Sequence, residues 1–256
     1  MMEKREWNTL AEWFDEKQGD DGDLWHRTLI HPGILKVIGK ISGREILDVG
    51  CGNGSLARQL ARMGNRVTGV DGSAPIIERA KAREAANPFG ITYHACDAAR
   101  LAIFRDNSFD IVTTCMALMD MPDAVNAIKE IGRVVRRAGR CVLLFSHPCF
   151  DIPLATTWLI ERGFGHDNVT SIRLKRYREI FSEWLPWSST DNFELLAYHR
   201  PLSWYFRAIR EAGLAVTMFE EPEPTKDFLE QAPESAGVAK FPLHCVIEAR
   251  PYSAVE

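Results

Sequence analysis

The sequence predicts an α/β protein built on a mostly parallel, doubly wound sheet. Three observations carry this expectation. From residue 45 onward, apolar runs of strand length alternate with runs of helix length, the pattern of a sheet covered on both faces. The first of these strands runs into three alternating glycines, Gly50, Gly52 and Gly54, and the second ends on an acid, Asp71. At 256 residues with a 46% hydrophobic share, the chain suits one sizeable core with an insertion rather than two independent domains.

Taken in order, strands are expected at 45–49, 66–70, 91–96, 109–115, 140–146, 214–220 and 242–249. Helices fall at 55–63, 74–86, 123–137 and 202–212. Ser73 with Pro75 in the first turn marks one helix start, and Gly64 and Gly139 mark stops. In such a sheet the ligand crevice lies beyond the carboxyl ends of the strands, where the strand order reverses. Residues 50–54, 71–73, 97–98, 115–120 and 146–151 therefore converge on one place.

The glycines and the acid have a joint meaning. Glycine lets the backbone turn tightly at positive φ and removes the Cβ that would hold a ligand away. An acid at the end of the next strand, about 20 residues on, can accept two hydrogen bonds from a ribose diol. The site is thus one for an adenosine-containing cofactor. A dinucleotide fingerprint would read G-x-G-x-x-G; here the run is Asp48-x-Gly50-x-Gly52-x-Gly54. A carboxylate at Asp48 is awkward beside a pyrophosphate and useful beside an ammonium or a sulfonium.

On these residues the chain resembles the class I S-adenosylmethionine-dependent methyltransferases. The likeness extends through Val70-Asp71-Gly72-Ser73, His94-Ala95-Cys96-Asp97-Ala98 and Phe109-Asp110-Ile111-Val112. It continues in the helix from Ala124, the turn Ala138-Gly139 and the strand Arg140 to Phe145, and is broadly similar to the ubiquinone and menaquinone biosynthesis group. The resemblance implies a Rossmann-like sheet of seven strands, the last antiparallel, with an N-terminal helical cap over residues 1–40. It implies a cofactor-binding core at 41–150, a helical lid insertion at 151–200 between strands five and six, and the rest of the core at 201–256. The implied cofactor is S-adenosyl-L-methionine, leaving S-adenosyl-L-homocysteine as product.

Site residues follow. Asp71 holds the ribose, with Gly72 beside it, and Asp97 accepts from the adenine amino group while Ala98 donates a backbone amide. Gly50 leaves room for the methionine portion. Ile76 either covers a face of adenine or packs in the core, and Cys115 either offers its carbonyl to the cofactor ammonium or packs likewise. His26 or Arg27 meets the cofactor carboxylate, and Arg27 is taken as the site residue. For the acceptor, His147 and His199 are the candidate bases, since imidazole titrates near neutral pH. Each has a second reading, a structural hydrogen bond. Asp120 and Asp151 are weighed as metal ligands of the catechol methyltransferase kind and set aside, so no metal is expected.

Composition limits the partners. With 31 basic and 35 acidic residues the net charge is −4, which gives no general attraction to nucleic acid or to an anionic membrane. No apolar run reaches the ~20 residues needed to span a bilayer, and the six cysteines lack metal-ligand spacing, as in a reduced, cytoplasmic protein. The partner is therefore a small-molecule methyl acceptor, with the oligomeric state open. All seven tryptophans lie outside residues 31–150, and residues 150–206 hold 12 of the 25 aromatics. Trp184 and Trp187 are thus expected to touch an aromatic or apolar acceptor as well as to fasten the lid. The basic cluster Arg173, Lys175, Arg176 and Arg178 reads as a solvated face. Two other functions share the main features: a binder without catalysis, and a nicotinamide-dependent oxidoreductase, which the glycine spacing and the lack of a Tyr-x-x-x-Lys pair disfavour.

Overall fold

The computed structural model describes residues 2–162, 168–186, 192–233, 235 and 239–254. The N-terminal segment supplies a two-residue strand β1 (Glu3–Lys4), helix α1 (Ala11–Gln18), and a π-helical stretch His26–Ile30 that runs into α2 (His31–Ile38). The core follows as β2 (Glu45–Val49), α3 (Ser55–Arg62), β3 (Arg66–Asp71), α4 (Ala74–Ala86), β4 (Thr92–Ala95), β5 (Phe109–Cys115), α5 (Ala124–Val134) and β6 (Val135–Ser146). Four strands come next: β7 (Thr156–Arg162), β8 (Asn168–Leu174), β9 (Phe181–Pro186) and β10 (Phe193–His199). The chain closes the core with α6 (Leu202–Glu211), β11 (Leu214–Glu220), α7 (Lys226–Gln231) and β12 (His244–Pro251).

The main sheet has seven strands in the order β11-β12-β6-β5-β2-β3-β4. Pairing from β4 to β6 is parallel, and β12 runs antiparallel to both of its neighbours. The expected sheet and its antiparallel last strand are therefore present. The order reverses between β2 and β5, so the carboxyl ends of β2, β3 and β5 open onto a crevice. One core cluster, including Val112, Ile128, Leu143 and Ile247, lies on one face, and a second, including Ile34, Ile46, Leu60 and Val246, lies on the other.

Two expectations are corrected. The helix placed at 123–137 ends at Val134, because the chain already pairs with β5 from Val135 onward. Gly139 is a close-approach residue within β6: a Cβ there would sit 2.6 Å from the Asp110 carbonyl. The insertion expected to be helical is instead made of strands. β7 and β8 form an antiparallel pair, while β9 and β10 join β1 in a three-stranded sheet. That small sheet ties the first residues of the chain to the insertion, with Leu10 packed among Phe193, Leu195, Trp7 and Trp13.

Candidate active site

The glycine loop is folded back on β3. The amides of Gly50 and Cys51 both donate to the Val70 carbonyl, at 2.8 and 2.9 Å. Gly50 has φ +71°, and a Cβ on it would collide with the Cβ of Ala117. Gly52 has φ +55°, with the Phe14 ring lying over it. Both line a cavity of about 640 Å³ that opens at the carboxyl ends of the strands. Gly54, at φ +87°, is not on the cavity wall; its missing Cβ makes room for the Tyr93 hydroxyl and so lets α3 sit close to the sheet. Gly54→Ala should therefore destabilise the fold by about 1–3 kcal/mol, read as a lowered melting temperature.

Asp71 is fixed by the loop it faces. Its Oδ2 accepts from the Gly52 amide at 3.0 Å and its Oδ1 from the Ser73 amide at 2.9 Å. Each oxygen keeps a further lone pair. Burial raises the Asp71 pKa, and the two amides work against that shift. Gly72, Ile76, Asp97 and Ala98 line the same end of the cavity. Asp97 uses Oδ1 to accept from the Ala99 amide at 2.9 Å, which leaves its other oxygen to a ligand. Asp48 and Cys115 form the floor. Burial pushes the Asp48 carboxyl up to about 7, against the 2.8 Å hydrogen bond from Thr113 Oγ1. Burial likewise keeps the Cys115 thiol well above its usual pKa, so it is no thiolate nucleophile.

The N-terminal segment closes one side. Phe14, Gln18, His26 and His31 face the cavity, whereas the exposed Arg27 does not. The structure thus brings His26 to the site in place of the expected Arg27. His26 Nδ1 lies 2.8 Å from Asp23 Oδ1, and burial lowers the neighbouring His31 to about 3, keeping it neutral. The cap is pinned to the glycine loop by side chains the sequence did not single out. Arg58, buried, donates to the carbonyls of Gly19, Asp20 and Asn53, and Asn53 donates to Asp15 and to the Gly19 carbonyl, each at 2.9 Å.

Opposite this end, Met116 follows β5 with φ +53°, a left-handed conformation unusual for a residue with a side chain. It turns residues 117–122 across the cavity, where Ala117, Met119, Asp120 and Met121 line it. Arg200 holds this loop from behind, donating to the carbonyls of Leu118, Met121 and Pro122 at 3.2, 2.7 and 3.2 Å. Its guanidinium also lies over the Tyr198 and Trp204 rings, at 5.0 and 4.9 Å. Arg200→Ala would leave three carbonyls unpaired, and we expect a loss of about 1–3 kcal/mol in stability together with weaker acceptor binding. Leu185, Pro186, Leu195 and Ala197 of β9 and β10, with Ser146 at the end of β6 and Asp151 after it, complete this compartment.

His147 and His199 are not on the walls of the main cavity. His147 is buried, with Nε2 3.0 Å from Glu221 Oε1 and Nδ1 accepting from the Cys149 amide at 3.1 Å. His199 Nε2 lies 2.9 Å from the Tyr177 carbonyl; the ring borders a side cavity of about 70 Å³. For both residues the structural hydrogen bond is the reading the geometry supports. Trp184 does not line the cavity and meets Lys4 instead, at 5.2 Å, while Trp187 lies outside the described residues. The aromatic ring contributed to the wall from these flanking segments is that of Trp7, together with Phe14. The basic cluster at 173–178 is exposed, with Arg176 paired to Glu179 and Glu183.

Residues 47–143 match a methyltransferase domain family. The ubiquinone biosynthesis O-methyltransferase of Coxiella burnetii is 37% identical over 200 residues, covering 73% of this chain and 82% of that one. The chain belongs to the S-adenosylmethionine-dependent methyltransferases. A second relative of the same name, from Hydrogenovibrio crunogenus, is 31% identical over 138 residues, 54% of this chain and 57% of its own length. The chain thus spans little more than half of that relative. Among solved structures, an S-adenosylmethionine-dependent methyltransferase from Mesorhizobium loti superposes with a TM-score of 0.73 at 25% identity, covering 91% of this chain and all of that one. A Listeria monocytogenes structure shares the fold, with a TM-score of 0.65 at 21% identity.

The methyltransferase cofactor fits the residues present. Asp71 has lone pairs left for two ribose hydroxyls, and Gly50 and Gly52 provide a cradle that side chains would fill. The Ser73 hydroxyl, on the cavity wall, is buried and has no hydrogen-bond partner among the described residues. Asp48 offers a carboxylate to a cation and no complement to a pyrophosphate. These features suit S-adenosylmethionine better than a nicotinamide dinucleotide.

Proposed function

We propose that this protein transfers a methyl group from S-adenosylmethionine to an O, N or C atom of a small aromatic or apolar metabolite. The observation that carries the reading is the continuity of the cavity. One space joins the glycine loop and Asp71 to an apolar compartment lined by Met119, Met121, Leu185, Leu195 and Ala197. A cofactor held at one end would present its methyl group toward an acceptor at the other. The bound cofactor supplies an electrophilic methyl on a sulfonium. The protein's own part is to hold both partners in line, which can account for much of such a displacement.

Asp71, Asp97 and Ile76 hold the nucleoside, Asp48 and His26 face the methionine portion, and the loop 117–122 aims the acceptor. Residues 1–40 and 151–200 act as a lid that excludes water. The small sheet β1-β10-β9 ties the two segments to each other. The likeness to ubiquinone biosynthesis O-methyltransferases supports a small-molecule acceptor. No described helix is long and apolar enough to cross a membrane; the six free cysteines are in keeping with action in the cytoplasm, and the net charge of −4 with a small-molecule partner rather than nucleic acid.

The test is incubation with methyl-labelled S-adenosylmethionine and a fractionated metabolite extract. Label should pass to a low-molecular-weight product in a protein-dependent manner, with stoichiometric S-adenosylhomocysteine. Cofactor binding without transfer in any fraction would favour the non-catalytic binder.

A further inference from the structure

Apart from His26, His31 and two cysteines, the titratable side chains on the cavity wall are acids. Acidic residues on the cavity wall include Glu6, Asp48, Asp71, Asp97, Asp120 and Asp151, and no lysine or arginine lines it among the described residues. Most of these acids have work to do within the fold or toward the cofactor. Asp120 is different: its side chain has no hydrogen-bond or ion-pair partner among the described residues. Its backbone amide is fixed by a turn to the Ala117 carbonyl at 2.9 Å, and the residue lines the cavity. The buried Arg200 behind this loop is spent on its carbonyls.

A carboxylate removed from water costs several kcal/mol unless it meets a donor or a cation. An anionic acceptor would meet Asp120 and Asp151 with no lysine or arginine on the described wall to answer its charge. A neutral one without a donor would leave Asp120 unpaired. Building on the methyltransferase reading above, we infer that the acceptor is an apolar amine, bound as its ammonium by Asp120, which also takes the proton that frees the nitrogen for methylation. The step balances. One N–H proton passes to the carboxylate, and the released lone pair forms the N–CH₃ bond. The C–S bond breaks with its electron pair returning to sulfur, and the methylated ammonium departs. Desolvation favours the transfer, since burial pushes the Asp120 carboxyl up to about 8 and the facing Asp71 adds to the rise. Met119, Met121 and Leu185 would receive the acceptor's apolar body.

The experiment uses the full chain loaded with S-adenosylhomocysteine and three probes of matched shape: tryptamine, indole-3-ethanol and indole-3-propionate. Binding is followed by protein-observed NMR up to millimolar probe. Tryptamine should bind at least tenfold more tightly than the propionate, with shifts around residues 117–122. Asp120→Asn should abolish that preference while S-adenosylhomocysteine affinity changes less than threefold. Equal binding of the three probes, tighter binding of the propionate, or no tryptamine binding overturns the inference. So does a tenfold loss of S-adenosylhomocysteine affinity in Asp120→Asn, which would assign Asp120 to the cofactor. Failure of the wild-type protein to bind S-adenosylhomocysteine at all is the separate result that would sink the methyltransferase reading itself.

Discussion

Asp71→Ala should weaken S-adenosylmethionine binding by at least roughly a hundredfold while leaving a folded protein. Two charge-assisted hydrogen bonds to the ribose would contribute about 1.5–3 kcal/mol each. The variant also releases the amides of Gly52 and Ser73, which hold the glycine loop in its cradle shape. Asp71→Asn separates the two contributions. One amide oxygen can still accept from a backbone N–H, but the amide nitrogen cannot, so its loss should be smaller than that of alanine. Titration calorimetry on the two variants, with circular dichroism to establish folding, measures both. Unchanged affinity in Asp71→Ala would remove the ribose assignment.

The second large effect concerns Asp48 and has opposite signs for binding and for stability. Its carboxyl titrates at about 7 in the folded chain because it is buried, against about 3.9 when unfolded. The folded state thus holds a proton that the unfolded state gives up. The stability of the ligand-free protein should fall as pH rises from about 4 to about 7, then level off. Asp48→Asn removes this penalty and keeps an acceptor for Thr113. It should be more stable than the parent at pH 8 by about 2–4 kcal/mol, measured by denaturant unfolding. The same variant should bind S-adenosylmethionine more weakly, because the cofactor's cations lose their buried counter-charge. In the parent protein, binding at pH 6 should release a proton, visible as a buffer-dependent heat. A variant less stable than its parent at pH 8 would show that the ionised carboxylate is compensated within the fold.

The cofactor end of the site was legible because its requirements are written in residue identity. Positive φ and close approach demand glycine at 50 and 52, and the acid at the end of the second core strand faces that loop and accepts from its Gly52 amide. The acceptor end was not. Met116 is left-handed without being a residue that advertises a turn, and Arg200 acts on a loop about 80 residues away in sequence. His147 and His199 lie at element ends, as expected, yet Glu221 and the Tyr177 carbonyl claim their rings. Arg27 and His26 differ by one helical position, which is enough to turn a side chain from the cavity to solvent. The strands of the insertion had a signal that the aromatic count obscured. The segments 156–160 and 169–172 are dense in Thr, Val and Ile, which suit strands better than helices.

The central claim is that the glycine loop, Asp71 and Asp48 form a site for S-adenosylmethionine and not for a dinucleotide. Titration calorimetry of the parent protein with S-adenosylhomocysteine and, separately, with NAD tests it most directly. The account predicts one S-adenosylhomocysteine bound per chain with micromolar or tighter affinity, and no measurable heat with NAD. Saturable binding of NAD, or none of S-adenosylhomocysteine, would contradict it.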